Sequence, residues 1–189
     1  MLFSADTQAQ LKPETSLAGS RESLVWQNSK FDLEGLERFQ NDRHMREAIK
    51  EGVLFPLPWD DCLISDSGLD GKWHFVLQRV VEFLVDFSRT ACSELSGTPV
   101  KVNSAIRHVP RQLQLIRRGN LNAVPVSGPR ASPHLTGASV DIAVVGMPAS
   151  FLYLARRFLL DMEDAGFIDA TLETKAQYVL HVTVFKEYK

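Results

Sequence analysis

No stretch of this 189-residue chain approaches the roughly 18 consecutive apolar residues that a membrane-spanning helix needs. The N-terminus, M-L-F-S-A-D-T-Q-A-Q, lacks the basic and apolar regions of a secretory signal peptide. The sequence therefore reads either as cytoplasmic or as a mature or shortened form of an exported protein. Cysteine is scarce: Cys62 and Cys92 are the only two, and neither spacing nor context makes them metal ligands. Two thiols allow a disulfide without requiring one. Acidic residues are missing altogether between Glu94 and Asp141, a window that holds Lys101, Arg107, Arg111, Arg117, Arg118 and Arg130. Aromatic residues are not interleaved with that basic window, which argues against nucleic-acid binding. A formal net charge of -2 excludes a generic polyanion binder.

What is present fits an ordinary folded chain, since 44% apolar against 23% charged residues is too hydrophobic for disorder. The length suits one domain with a real core. Residues 1–19 are polar, interrupted by Pro13 and Gly19, and read as a loose tail. Residues 20–71 read as a helical arm packed on the main domain. Leu24, Asn28 and Phe31 recur at helical spacing, Leu33, Leu36 and Phe39 continue a second helical piece, and Asn41 or Asp42 caps a third running to Gly52. Val53 to Trp59 then crosses in extended form, and Asp60 to Gly71 is a loop.

The main domain, 72–189, opens with the clearest helix, Lys72 to Leu95, stopped by Gly97. A second helix is expected from Pro148 to Ala165, with Gly166 after its end. Strands at 100–106, 138–145, 167–173 and 178–185 predict an α+β fold: a small antiparallel sheet of about four strands with helices on one side.

The chemistry concentrates in Ser132-Pro-His134-Leu-Thr-Gly137-Ala-Ser139-Val-Asp141. Alternation from Ala138 to Val145 puts Ser139, Asp141 and Ala143 on one face of a strand, with Val140, Ile142 and Val144 on the other. Asp141 thus interrupts an apolar strand, where a carboxylate is costly unless paired, hydrogen-bonded or bound to metal. His134 stands just ahead of it, positioned by Pro133 and by a tight turn at Gly137. His181 is the only ionisable residue in Tyr178-Val-Leu-His-Val-Thr-Val-Phe185, a run that reads as a strand buried on both faces. A lone core histidine is ordinarily just hydrogen-bonded. Two His and one Asp, however, form a recognised catalytic zinc set that leaves one tetrahedral position open.

These residues resemble the zinc peptidases that group lysostaphin-type enzymes, D-Ala-D-Ala carboxypeptidases and dipeptidases, and the hedgehog signalling domain. That family's pattern, Ser-x-His-x-x-Gly-x-Ala-x-Asp followed much later by a His on a strand, stands here as Ser132, His134, Gly137, Ser139 in place of Ala, Asp141 and His181. The match covers residues 99–185, and residues 20–58 resemble the N-terminal arm of an uncharacterised bacterial branch, with W-Q-N, E-G-L-E-R-F-Q and G-V-L-F-P-L-P.

The resemblance implies one zinc ion on His134, Asp141 and His181. It also implies hydrolysis of amide bonds in peptidoglycan-type or other carboxylate-bearing peptides, in the periplasm or cell envelope. In the family's Ser-x-x-Arg context, matched by Ser104-Ala-Ile-Arg107, the Arg grips the substrate carboxylate, a task suited to a planar bidentate guanidinium. Ser132 becomes a hydrogen-bond donor near the metal or substrate, not a nucleophile. One departure stands out: active relatives carry Glu or Asp three residues before the last His as general base, and this chain has Tyr178. A phenol with an ordinary pKa near 10 is a poor base at neutral pH but can stabilise an oxyanion. Glu173 is the nearest substitute, set against its simpler reading as a solvated strand-end carboxylate. A metal-stabilised module that binds muropeptide or another anionic ligand without cleaving it is the alternative.

Overall fold

The two valine-rich strands predicted around Asp141 and His181 lie side by side at the centre of a five-stranded sheet. The computed structural model describes residues 17, 19, 21–69, 72–174 and 178–188. The expected loose tail therefore lies almost wholly outside the described residues. In chain order the elements are α1 (Arg21–Glu34), α2 (Asp42–Lys50), β1 (Leu54–Pro56), β2 (Leu63–Ser65), β3 (Phe75–Leu77), α3 (Gln78–Glu94), β4 (Val100–Ser104) and α4 (Val109–Arg117). A single 3-10 turn (Pro133–Thr136) follows, then β5 (Ser139–Ala143), α5 (Ala149–Asp164), β6 (Ile168–Glu173) and β7 (Val179–Val184).

The sheet runs β2-β4-β5-β7-β6, antiparallel throughout except that β2 joins β4 in parallel; β1 and β3 form a separate antiparallel pair. The mixed α and β composition is as expected, but the main sheet has five strands, not four. The fifth, β2, falls inside the span read as a loop, since three residues are too short to display a period. Its place is fixed by tertiary bonds: the Val100 amide donates to the Cys62 carbonyl at 2.8 Å and the Asp66 amide to the Val102 carbonyl at 2.8 Å. A disulfide between Cys62 and Cys92, with Cα atoms 5.5 Å apart, ties this edge to the end of α3.

Register divides the sheet chemically. Val140, Ile142, Leu180, Val182, Val184, Ile168 and Ala170 lie on one face and are buried in the hydrophobic core, to which α3 contributes Val80, Phe83, Leu84, Phe87 and Ala91 and α5 contributes Phe151, Leu154 and Leu159. Fully burying each such large side chain contributes roughly 1.5–3 kcal/mol. The other face carries Ser139, Asp141, His181, Thr183, Asp169 and Thr171, all buried as well. That face is covered in part by α1, whose Gln27 donates to Asp169 and accepts from Thr183. Helices thus occupy both sides of the sheet, correcting the one-sided expectation.

Three further boundaries differ from the sequence reading. The helix expected from Lys72 begins only at Gln78, because Phe75–Leu77 pairs with Leu54–Pro56 and the Leu77 amide donates to the Gly137 carbonyl at 2.9 Å. Tertiary pairing overrides a helical period there. The second helical piece at Leu33 to Phe39 does not form: α1 ends at Glu34, Gly35 turns left-handed, and the Phe39 amide instead donates to the Leu135 carbonyl at 2.7 Å. The basic window holds, beyond the expected strand at 100–106, a helix that the sequence reading does not assign, α4, capped by the His108 side chain accepting from the Arg111 amide. As expected, Asn41 caps α2 through the His44 amide at 3.0 Å.

Candidate metal centre

Ser132-Pro133-His134 enters the 3-10 turn with proline at its first position, and Gly137 ends it in the left-handed region at φ 75°. Only glycine serves there twice over: besides the φ, a Cβ would meet Leu54 Cδ2 at 3.0 Å and Ile106 Cδ1 at 3.2 Å. The turn delivers His134 to the polar face beside Asp141, while the β5–β7 register sets Asp141 directly opposite His181. All three side chains are buried, and a ligand atom from each lies within 4.8 Å of the others, so the group can hold a metal ion.

The hydrogen bonds around the cluster leave it short of protons. His134 Nδ1 lies 2.8 Å from the Ala105 carbonyl, which can only accept, so this nitrogen carries the proton and Nε2 turns its lone pair toward Asp141 Oδ1, 3.1 Å away. His181 Nδ1 approaches the same Oδ1 at 2.8 Å. Three basic atoms converge on one point, an arrangement that a proton or a cation must occupy. The carbonyl brace on His134 is the usual way a metal-ligating imidazole is oriented.

Electrostatics agree with that reading. Burial, followed by the charge of Arg107, holds His134 down at about 4, so it is neutral and available as a ligand at pH 7. Burial would raise Asp141, but the two histidines and their hydrogen bonds outweigh it and hold the carboxyl well below its ordinary value. For His181 burial also opposes the charged form, yet the bond to Asp141 prevails and its pKa is raised. Without metal, then, the shared proton resides on His181.

No family model, curated protein or solved structure matches the chain. The site therefore stands on its own geometry, and the residues expected to complete it can be placed one by one.

A cavity of about 570 Å³ opens onto the cluster, and its lining includes Arg107, Ser132 and Glu173 with the three candidate ligands. Arg107 donates through Nη2 to Asp141 Oδ2 at 3.1 Å and to Ser104 Oγ at 2.6 Å, and through Nη1 to Gln112 Oε1 at 3.3 Å. Its fork is thus partly spent on bracing Asp141. Ser132 is buried with no partner for its Oγ among the described residues. The residue lines the cavity, and a buried hydroxyl without a protein partner points to a water or ligand that satisfies it.

Glu173 is not a solvated strand end. It is half-buried, and burial raises its carboxyl above the ordinary value against the pull of His181 and Arg107. Asn122 Nδ2 donates to its Oε2 at 2.6 Å, holding it against the cavity wall. Tyr178 is placed elsewhere: it precedes β7, keeps 38% of its surface exposed and does not line the cavity, so an oxyanion role for its phenol loses its geometric basis. The arm, read as structural, does more than pack, because Ser23, Leu24 and Gln27 of α1 form part of the cavity wall. Asn122 and Gln27 line the cavity without a sequence signal that assigns them to it. Nothing local marks Asn122, while Gln27 sits in the W-Q-N phrase that already stood out.

Proposed function

We propose that the chain is a zinc-dependent hydrolase of amide bonds in peptidoglycan-type peptides, cleaving near a free carboxylate, as in the zinc peptidase family it resembles. The observation that carries this reading is the placement of Glu173. A half-buried carboxylate with a raised pKa shares one cavity with three convergent metal-ligating atoms, and such perturbed groups concentrate at functional sites.

His134 Nε2, Asp141 Oδ1 and His181 Nδ1 would hold the ion. Bound there, zinc would supply Lewis-acid polarisation of a scissile carbonyl and lower the pKa of water toward about 7. Glu173 accepts the proton of the attacking water, its basicity raised by burial and its carboxylate aimed by Asn122. Arg107, besides bracing Asp141, adds positive charge to the wall where a substrate carboxylate binds. Ser132 Oγ donates to the peptide backbone. The Cys62–Cys92 disulfide supports an oxidising compartment such as the periplasm.

One observation favours the alternative, a metal-stabilised module that binds muropeptide without cleaving it: position 178, acidic in active relatives, holds a tyrosine outside the cavity. The two readings separate on Glu173→Gln. General-base assistance is worth about 10²- to 10⁴-fold, so the hydrolase reading requires a loss of that order in turnover of cell-wall peptides at unchanged zinc content, with Tyr178→Phe near wild type. If the zinc-loaded wild type binds such peptides but hydrolyses none of them, and Glu173→Gln leaves that binding unchanged, the protein is the binding module.

A further inference from the structure

Two features remain unused by the proposed chemistry: Ser139, where the resembling family has alanine, and the W-Q-N phrase of α1. The structure joins them at Thr183. Its Oγ1 lies 3.1 Å from Gln27 Oε1, 2.7 Å from Ser139 Oγ and 3.4 Å from His181 Nε2. All of these side chains are buried.

Proton counting fixes every direction in this network. Gln27 Nε2 donates to the Asp169 carboxylate, which accepts only, so the amide cannot be turned over and Oε1 must be the atom facing Thr183. A hydroxyl owns one proton, and Thr183 gives it to Gln27 Oε1. Its other two neighbours must then donate to it: Ser139 through its hydroxyl, His181 through Nε2–H. An imidazole protonated at Nε2 presents its Nδ1 lone pair, and Nδ1 is the nitrogen at 2.8 Å from Asp141 Oδ1. In the other tautomer His181 Nε2 would need a second proton from Thr183, which has none left.

We propose that Gln27 and Thr183 are positioning residues for the metal centre, through which the N-terminal helix fixes His181 as an Nδ1 donor. The proposal rests on reading the His134, Asp141, His181 cluster as a metal site. It gives the arm a task that packing alone does not: α1, more than a hundred residues from the ligands in sequence, orients one of them through Asp169, the Gln27 amide and the Thr183 hydroxyl. Ser139 completes the set by filling the remaining acceptor site on Thr183.

The test uses the full chain. Zinc affinity is measured by competition with a chromogenic chelator for wild type, Thr183→Val, Thr183→Ser and Gln27→Met, and the ring nitrogens of His181 are assigned by long-range nitrogen–proton NMR. Loss of such an orienting partner costs 10- to 100-fold in metal affinity, the fall expected for Thr183→Val and Gln27→Met, with Thr183→Ser remaining near wild type. Zinc-loaded wild type should show a proton on His181 Nε2 and metal on Nδ1. Wild-type affinity in both Thr183→Val and Gln27→Met, or metal on His181 Nε2, would overturn the proposal. The wild-type spectrum decides the tautomer even if a variant fails to fold. If wild type takes up no zinc, the metal reading fails by itself. The metal-free spectra then decide the positioning role: an Nε2 proton protected in wild type and exposed in Thr183→Val supports it, and identical spectra overturn it.

Discussion

Asp141 and His181 face each other across the β5–β7 ladder, with Nδ1 of the imidazole 2.8 Å from Oδ1 of the carboxylate. His134 Nε2 lies 3.1 Å from the same oxygen, so three electron-rich atoms crowd one point. Every consequence of the site follows from how that crowded point is filled.

Filled by metal, the purified protein carries about one zinc per chain, and His134→Ala or His181→Ala empties the site, since two remaining protein ligands fall short of the three that catalytic zinc sites use. Elemental analysis after dialysis checks this. Full zinc retention in both variants would remove the metal assignment.

Zinc uptake should depend on pH with a definite sign. The raised pKa of His181 means that a proton competes with metal at Nδ1 until the pH passes that value. Affinity therefore climbs by up to about tenfold per pH unit as pH approaches the folded-state pKa of His181, which lies above 6.5, and levels off once the pH has passed it. In metal-free protein the same raised pKa stabilises the fold below 6.5, and that contribution is lost as pH rises through the folded-state value. His134 acts oppositely: its folded pKa of about 4 makes the neutral ring a stabilising contribution above 6.5 that disappears as pH falls toward 4. Chelator titrations and melting curves across pH 4–9, with and without zinc, would reveal both limbs. A pH-independent zinc affinity would contradict the His181 assignment.

Arg107→Ala should weaken binding of free-carboxylate peptides far more than of their amides, by about 1.5–3 kcal/mol for the lost charged hydrogen bond. Because Arg107 also donates to Asp141, zinc affinity should fall in the same variant. Calorimetry with paired acid and amide peptides separates the two effects. Equal weakening of acid and amide would leave Arg107 only its bracing role.

The pair Cys62→Ser and Cys92→Ser should lower stability by about 2–4 kcal/mol, since the bridge closes a long loop between β2 and α3. Zinc stoichiometry should be unchanged, the bridge lying outside the metal cluster and its cavity. Denaturant melts of oxidised wild type and the double variant measure the difference, and coincident melts would contradict it.

Much of the site was readable along the chain because its parts are local or periodic. Alternation placed Ser139 and Asp141 on one face of a strand, Gly137 announced the turn that carries His134, and a solitary histidine in an apolar run singled out His181. The capping of α2 by Asn41 and the apolar stripe of α3 belong to the same class of signal. Sequence alone thus determined the three candidate ligands, the central strands and the larger helices, since side-chain period and turn chemistry are properties of neighbouring residues. It did not determine what surrounds them. That Glu173 lies against the cavity and Tyr178 outside it, that β2 adds a fifth strand, that Cys62 meets Cys92, and that Gln27 reaches Thr183 from the far side of the chain were decided by tertiary structure. Each of these depends on contacts between residues distant in sequence, and such contacts leave no period and no spacing for a single chain to display.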